Sequence, residues 1–242
     1  MKVIGVIPAR FKSSRFPGKP LADICGKPMV WWTYNQAVKA KGIDKVYVAT
    51  EDVRIKEVCE KYKIPCIMTS DEHRNGTERV AEVSEKTDGD IYITIQGDEP
   101  LIEPHNIEKI VNLMKSDDKI QCSTAKTPFK DPVDVVNGTT IKALSDLEGN
   151  LLFVTRSPVP YPKASLNYKI YKHMGLFGFR RETLQLFPKL SMGPLEEIED
   201  LEVLRFIEHG IKMKVIETES GTISVDTVKD LNRVTEIIRS RR

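Results

Sequence analysis

The sequence predicts an α/β fold: a doubly wound, mostly parallel sheet carrying a smaller antiparallel lobe. Three observations carry that expectation. Short β-rich runs alternate with amphipathic runs of helical length through the first half of the chain. The polar motifs fall at the carboxyl ends of the strands, where such sheets bind ligands. After residue 118 the long helices drop out from between the strands. With 242 residues the chain can bury a sizeable core as one domain, 1–242, with residues of about 120–180 as an inserted lobe.

Val3 to Ile7 is the first strand, and Met29 to Ala40 has a helical pattern with Val30, Trp31, Tyr34 and Ala37 on one side. Lys45 to Thr50 is the second strand, and Asp52 caps a helix running to Tyr62. Pro65 to Met68 is a short third strand, Thr77 to Glu85 a helix, Ile91 to Ile95 a fourth strand and Pro104 to Met114 a helix. In the lobe, Cys122–Phe129, Thr140–Leu144 and Leu151–Thr155 are strand-like, followed by a proline-stiffened segment from Arg156 to Pro162. Leu195 to Glu208 and Val228 to Arg239 are closing helices.

Composition excludes several classes. Apolar residues make up 40% and charged residues 30%, so the chain is neither disordered nor fibrous. Lys and Arg total 37 against 35 Asp and Glu, a net +2 that gives no basis for a nucleic-acid coat. No run approaches the ~18 apolar residues of a membrane span, and the N-terminus reads as a buried strand rather than a signal peptide. The four cysteines, Cys25, Cys59, Cys66 and Cys122, form no CxxC pair or Cys/His cluster, which fits free thiols in a reducing cytoplasm.

The strongest motif follows the first strand. Arg10, Lys12, Arg15 and Lys19 put four positive charges in ten residues, and Ser13, Ser14 and Gly18 let the backbone approach a ligand. Cations and peptide N–H groups at a strand end suit a triphosphate. This is no Walker loop, because proline follows both Gly18-Lys19 and Gly26-Lys27 where Ser or Thr would reach magnesium. Gln96-Gly97-Asp98-Glu99-Pro100 places an acid at the end of the fourth strand, where it can hold a hard cation opposite phosphates or simply cap a helix. Val225-Asp226-Thr227 precedes the last helix, and either Asp226 or Thr227 can be its N-cap. Asp98 and Asp226 form a metal pair only if the fold brings them together.

These residues resemble the 3-deoxy-manno-octulosonate cytidylyltransferase family, within the nucleotide-diphospho-sugar transferase-like enzymes. The resemblance runs nearly end to end. It covers IPARFKSSRFPGKPL, NGTERV at Asn75–Val80, IQGDEPLI at Ile95–Ile102, LFVTRSPVPYP at Leu152–Pro162, KHMGLFGFRRETL at Lys172–Leu184, LEEIEDLEVLR at Leu195–Arg205 and SVDTVKDL at Ser224–Leu231. It implies that Ala9, Arg10, Ser13, Arg15 and Lys19 hold the CTP triphosphate, with Asn75, Thr77, Arg79 and Gln96 near the nucleotide. It also implies that Asp98 and Asp226 ligate Mg²⁺, and that Gln96, Arg156, Tyr161, His173 and Glu199 surround a 2-keto-3-deoxy sugar acid (Kdo). Arg156 suits that acid's carboxylate as a fork. The implied reaction is direct in-line attack of the anomeric hydroxyl on the α-phosphorus of CTP, releasing pyrophosphate, with Mg²⁺ activating or orienting the hydroxyl. Arg10, Lys19, Asp98 and Asp226 would be the catalytic set. A cytoplasmic homodimer is implied too, in lipopolysaccharide or capsule precursor synthesis, with Pro158–Pro162 and Phe177–Phe179 as the candidate interface unless they are core.

The chain departs from the family pattern at four places. Glu51 stands where Asp is more common, Asp200 follows Glu199, Val203 takes a Gln position associated with sugar contact, and Ser224 replaces a glycine. None touches the basic loop or Asp98. Val203 removes a donor and an acceptor, so 8-amino-Kdo, another ulosonic acid or a phosphonate stays open as acceptor. A non-catalytic CTP-binding regulator is a further alternative. His73, His105 and His209 are read as surface residues without partners.

Overall fold

β1 (Val3–Pro8) is built from alternating positions: Val3 and Ile7 join one hydrophobic cluster, Ile4 and Val6 the other. A strand buried on both faces needs a helical layer on each side, and the chain supplies both. The computed structural model describes residues 1–12, 16–165, 169–219 and 222–241. In chain order after β1 come β2 (Asp23–Ile24), β3 (Lys27–Pro28), α1 (Met29–Ala37), β4 (Lys45–Thr50), α2 (Val53–Lys61), β5 (Cys66–Met68) and α3 (Gly76–Lys86). They are followed by β6 (Ile91–Ile95), α4 (Pro104–Ser116), β7 (Cys122–Pro128), α5 (Pro132–Val136), β8 (Lys142–Ser145), β9 (Leu151–Thr155) and β10 (Tyr171–Arg180). The chain closes with α6 (Arg181–Leu186), α7 (Pro194–Glu199), α8 (Val203–Glu208), β11 (Met213–Glu217) and α9 (Val228–Ser240).

The main sheet runs β5-β4-β1-β6-β10-β7-β11. β4 and β6 flank β1 in parallel, β5 is parallel to β4 and β11 to β7, while β10 is antiparallel to both of its neighbours. Helices α1, α2 and α4 bury Val30, Ile55, Cys59, Ile107 and Ile110 on one face. Helices α3, α6 and α8 bury Val80, Val83, Leu184, Leu204 and Phe206 on the other. The predicted doubly wound, mostly parallel sheet is therefore the observed one.

The lobe differs in detail from its sequence reading. β7 and β10 lie inside the main sheet, and the β8–β9 hairpin projects from β10 through the Lys172–Lys142 pairing. Phe177 and Phe179, left open between interface and core, are buried on β10, and Phe179 stacks on Phe206 at 5.4 Å. The helix expected over Leu195–Glu208 is two short helices. Asp200 ends α7 at φ 53°, a left-handed conformation that no continuous helix can include. A small third cluster of Ile24, Met29, Val225, Val234 and Ile238 ties the β2–β3 hairpin to α9. All four cysteines are free thiols. Among the described residues no helix is long and apolar enough to cross a membrane.

Candidate active site

The described ends of the basic loop come together at Phe11. Ala9 extends the β1–β4 pairing by donating to the Ala49 carbonyl at 2.9 Å. One residue beyond exposed Arg10, the Phe11 N–H donates to Glu51 Oε1 at 3.0 Å. The Phe11 carbonyl accepts the Gly18 N–H at 2.9 Å, which closes the loop. Gly18 has φ 71°, and a Cβ there would sit 3.0 Å from the Phe11 ring, so a side chain would meet backbone strain and a tight contact together. The Arg54 guanidinium lies 3.3 Å from the centre of the same ring, and Asp52 holds it through bonds of 2.9 and 2.6 Å. Ser13 and Arg15 lie outside the described residues.

The turn after Gly18 directs Lys19 inward. Its ammonium lies 2.6 Å from Asp98 Oδ2 and 3.3 Å from Asp226 Oδ1. Three features bring those two acids together. Gly97 lets the end of β6 approach β1, because a Cβ there would sit 2.7 Å from the Pro8 carbonyl oxygen. The Asp98 carbonyl accepts the Val225 N–H at 2.9 Å, and Val225 is fully buried in the third cluster. Thr227, not Asp226, caps α9, in a capping box with Asp230. The carboxylate of Asp226 is thus aimed at Lys19 instead of at the helix end. Glu99, which the sequence reading did not single out, is buried beside this pair. Burial first, then the Asp98 charge, raise its carboxyl to about 7.

The segment at the start of α3 is held tightly. Asn75 caps the helix by accepting the Glu78 N–H at 2.9 Å. Thr77 donates its N–H to Glu202 at 3.2 Å. Arg79 is buried: it bonds the Thr69 hydroxyl and the Ser70 carbonyl, and Nη2 lies 2.9 Å from Glu51 Oε2 as a charge contact rather than an aligned hydrogen bond. Burial is the first cause lowering the Arg79 pKa, and the nearby Arg10 charge adds to it. Glu51 therefore links the Phe11 backbone to Arg79, so this departure from the family pattern does touch the basic loop, contrary to the expectation from sequence.

Gln96 follows the end of β6, and His173 lies on the neighbouring strand β10. A Cβ on Gly175 of β10 would sit 2.7 Å from Gln96 Cγ, so the glycine makes room for that side chain. His173 is buried with its Nε2 2.9 Å from the Thr124 hydroxyl, and burial pushes its pKa down to about 4, which keeps the ring neutral. Arg156 and Glu199 form a second group where β9 meets α7. Glu199 accepts the Arg156 N–H at 2.9 Å and the Thr155 hydroxyl, and its carbonyl accepts Arg156 Nε at 2.8 Å. Tyr161 joins neither group; it is 86% exposed. The other histidines do have partners: His73 bonds Glu82 at 2.5 Å, His209 the Ser191 carbonyl at 3.0 Å, and His105 sits 3.8 Å from Glu108.

A cation at a strand end, with two carboxylates converging on it in a doubly wound sheet, suits a site for a phosphate-bearing nucleotide. The cytidylyltransferase family profile matches residues 4–215. A 3-deoxy-manno-octulosonate cytidylyltransferase from Geobacter metallireducens is 40% identical over 98% of this chain and 97% of its own. One from Fusobacterium nucleatum is 40% identical over 99% and 98%. The chain belongs to the 3-deoxy-manno-octulosonate cytidylyltransferase family, as its motifs imply. A solved CMP:2-keto-3-deoxy-manno-octonic acid synthetase complexed with CTP superposes with a TM-score of 0.95 at 35% identity over the whole of both chains. The 4-diphosphocytidyl-2C-methyl-D-erythritol synthase of Anaerococcus prevotii, at 17% identity and a TM-score of 0.64 over 98% and 96%, shares the fold.

Proposed function

We propose that this enzyme transfers CMP from CTP to the anomeric hydroxyl of Kdo. The observation that carries the reading is the convergence of Lys19 on Asp98 and Asp226 at the mouth of the basic loop. Arg10, Lys19 and the loop bind the triphosphate, with Ser13 and Arg15 assigned to the same task by their place in the motif. Ala9, Asn75, Thr77 and Arg79 shape the nucleotide side, the last three from the cap and first turn of α3. Gln96, Arg156, His173 and Glu199 form the acceptor side, where the Arg156 guanidinium takes the carboxylate; Tyr161, which contacts neither group, is assigned to that side only by its place in the motif.

The acceptor oxygen forms a bond to the α-phosphorus as the bond to the β-phosphate oxygen breaks. Pyrophosphate leaves with the electron pair and the hydroxyl proton passes to solvent base. Lys19 and Arg10 offset the charge that builds on the leaving group. Among the described residues no group of three or more metal-type side chains gathers. The oxygen pair of Asp98 and Asp226 fits a hard cation that completes its shell from phosphates and water. Mg²⁺ held there supplies positive charge against the phosphate oxygens.

Free thiols support a reducing cytoplasm, where CTP is available. The exposed apolar side chains of Val133, Val136 and Tyr161 on the lobe support a homodimer. The test is phosphorus NMR of the product formed from CTP, Mg²⁺ and Kdo. A CMP phosphodiester of Kdo supports the reading; turnover only with 8-amino-Kdo, another ulosonic acid or a phosphonate overturns the acceptor.

A further inference from the structure

Lys142, at the start of β8, is fully buried. An ammonium has three donors and no acceptor. Here all three go to main-chain carbonyls: Asn137 at 2.9 Å, Thr140 at 2.8 Å and Arg156 at 2.7 Å. Among the described residues no carboxylate lies within ion-pair distance of it. A buried cation without a contacting counter-charge is expensive, and an apolar side chain would fill the space at lower cost. Burial is the first cause drawing its pKa below the ordinary lysine value; the Arg156 charge adds to that and the Glu199 charge opposes it.

The three carbonyls share one beneficiary. Arg156 is gripped at both of its peptide groups, the N–H by Glu199 Oε2 at 2.9 Å and the C=O by Lys142 at 2.7 Å. Its Nη1 rests on the Gly138 carbonyl at 3.3 Å. Gly138 lies between Asn137 and Thr140, the two loop residues that Lys142 also holds. Lys142 therefore fixes the backbone from which the guanidinium projects and the loop on which it rests. A fork that must meet a carboxylate in plane gains from such fixing, since a shift of about 1 Å can cost ~100-fold in rate.

We propose that Lys142 is a positioning residue for acceptor recognition, acting through Arg156. This rests on the assignment of Arg156 to the acceptor carboxylate. The test is steady-state pyrophosphate release by the full-length enzyme with CTP and Mg²⁺, with Kdo and CTP varied in turn. The proteins compared are wild type, Lys142→Met, Lys142→Gln and Arg156→Met. Lys142→Met is expected to raise the Kdo KM about tenfold while the CTP KM stays within about twofold. Lys142→Gln retains two N–H donors and is expected to recover part of that loss; it also decides the question if the Met variant does not fold. A wild-type Kdo KM in the folded Lys142 variants, with Arg156→Met impaired, overturns the role of Lys142 alone. An equal rise in both KM values also overturns it, since that marks general damage. An unchanged Kdo KM in Arg156→Met overturns the Arg156 assignment and this inference with it.

Discussion

Val225 donates its peptide N–H to the Asp98 carbonyl at 2.9 Å. That bond joins the loop after β6 to the loop before α9. The acid that follows Val225 then shares Lys19 with Asp98. Lys19→Met removes the cation from between two carboxylates and, on the proposed mechanism, from the leaving group. It is expected to lower kcat by about 10²–10³, the usual cost of losing one transition-state charge contact. Circular dichroism should stay at wild type, and the rate of pyrophosphate release reads the loss.

Glu51 is the tie between the basic loop and Arg79. The side chains of Arg79 and Glu51 are both largely removed from solvent, and Arg79 has the Arg10 charge nearby. Glu51→Ala leaves a buried guanidinium without its counter-charge, at roughly 3 kcal/mol of stability. It also frees the Phe11 N–H, so the CTP KM is expected to rise about tenfold while the Kdo KM changes little. Urea denaturation and the two KM values check this together.

His173 makes stability depend on pH in one direction. Its folded pKa of about 4 lies below the ordinary value of 6.5, because burial disfavours the imidazolium. Between those values the unfolded chain binds the proton and the folded chain does not. The group's contribution is therefore complete above about pH 6.5 and is lost as pH falls towards 4, with a slope of at most about 1.4 kcal/mol per pH unit. His173→Gln should flatten that part of the profile in denaturation measured from pH 4.5 to 7.5.

Val203 is 4% exposed and packs in the cluster that contains Leu204 and Phe206. Restoring the family's glutamine there buries an amide among apolar side chains. Val203→Gln is expected to destabilise by about 1–3 kcal/mol. The Kdo KM should change less than about twofold, which thermal melting and acceptor kinetics will show.

Much of this was legible in the sequence because it is local. The alternation along Val3–Ile7 and the cap at Asp52 each follow from neighbouring residues, and each lies where it was expected. The family motifs named the acids at Asp98 and Asp226. What was hidden depends on contacts distant in sequence. Leu195–Glu208 has continuous helical composition, and only the left-handed Asp200 divides it. β10 enters the main sheet because β6 and β7 offer it two edges, which no local pattern in residues 171–180 records. Lys142 carries no motif and Glu51 only a departure from one; their roles exist only once Phe11, Arg79 and Arg156 are brought to them.

The most direct test of the account is pyrophosphate release from CTP, Mg²⁺ and Kdo by the wild-type enzyme beside Asp98→Ala and Asp226→Ala. The account predicts robust Kdo-dependent release by the wild type and a loss of about 10²-fold or more in each variant. Release by either variant at the wild-type rate would contradict the central role given to this pair.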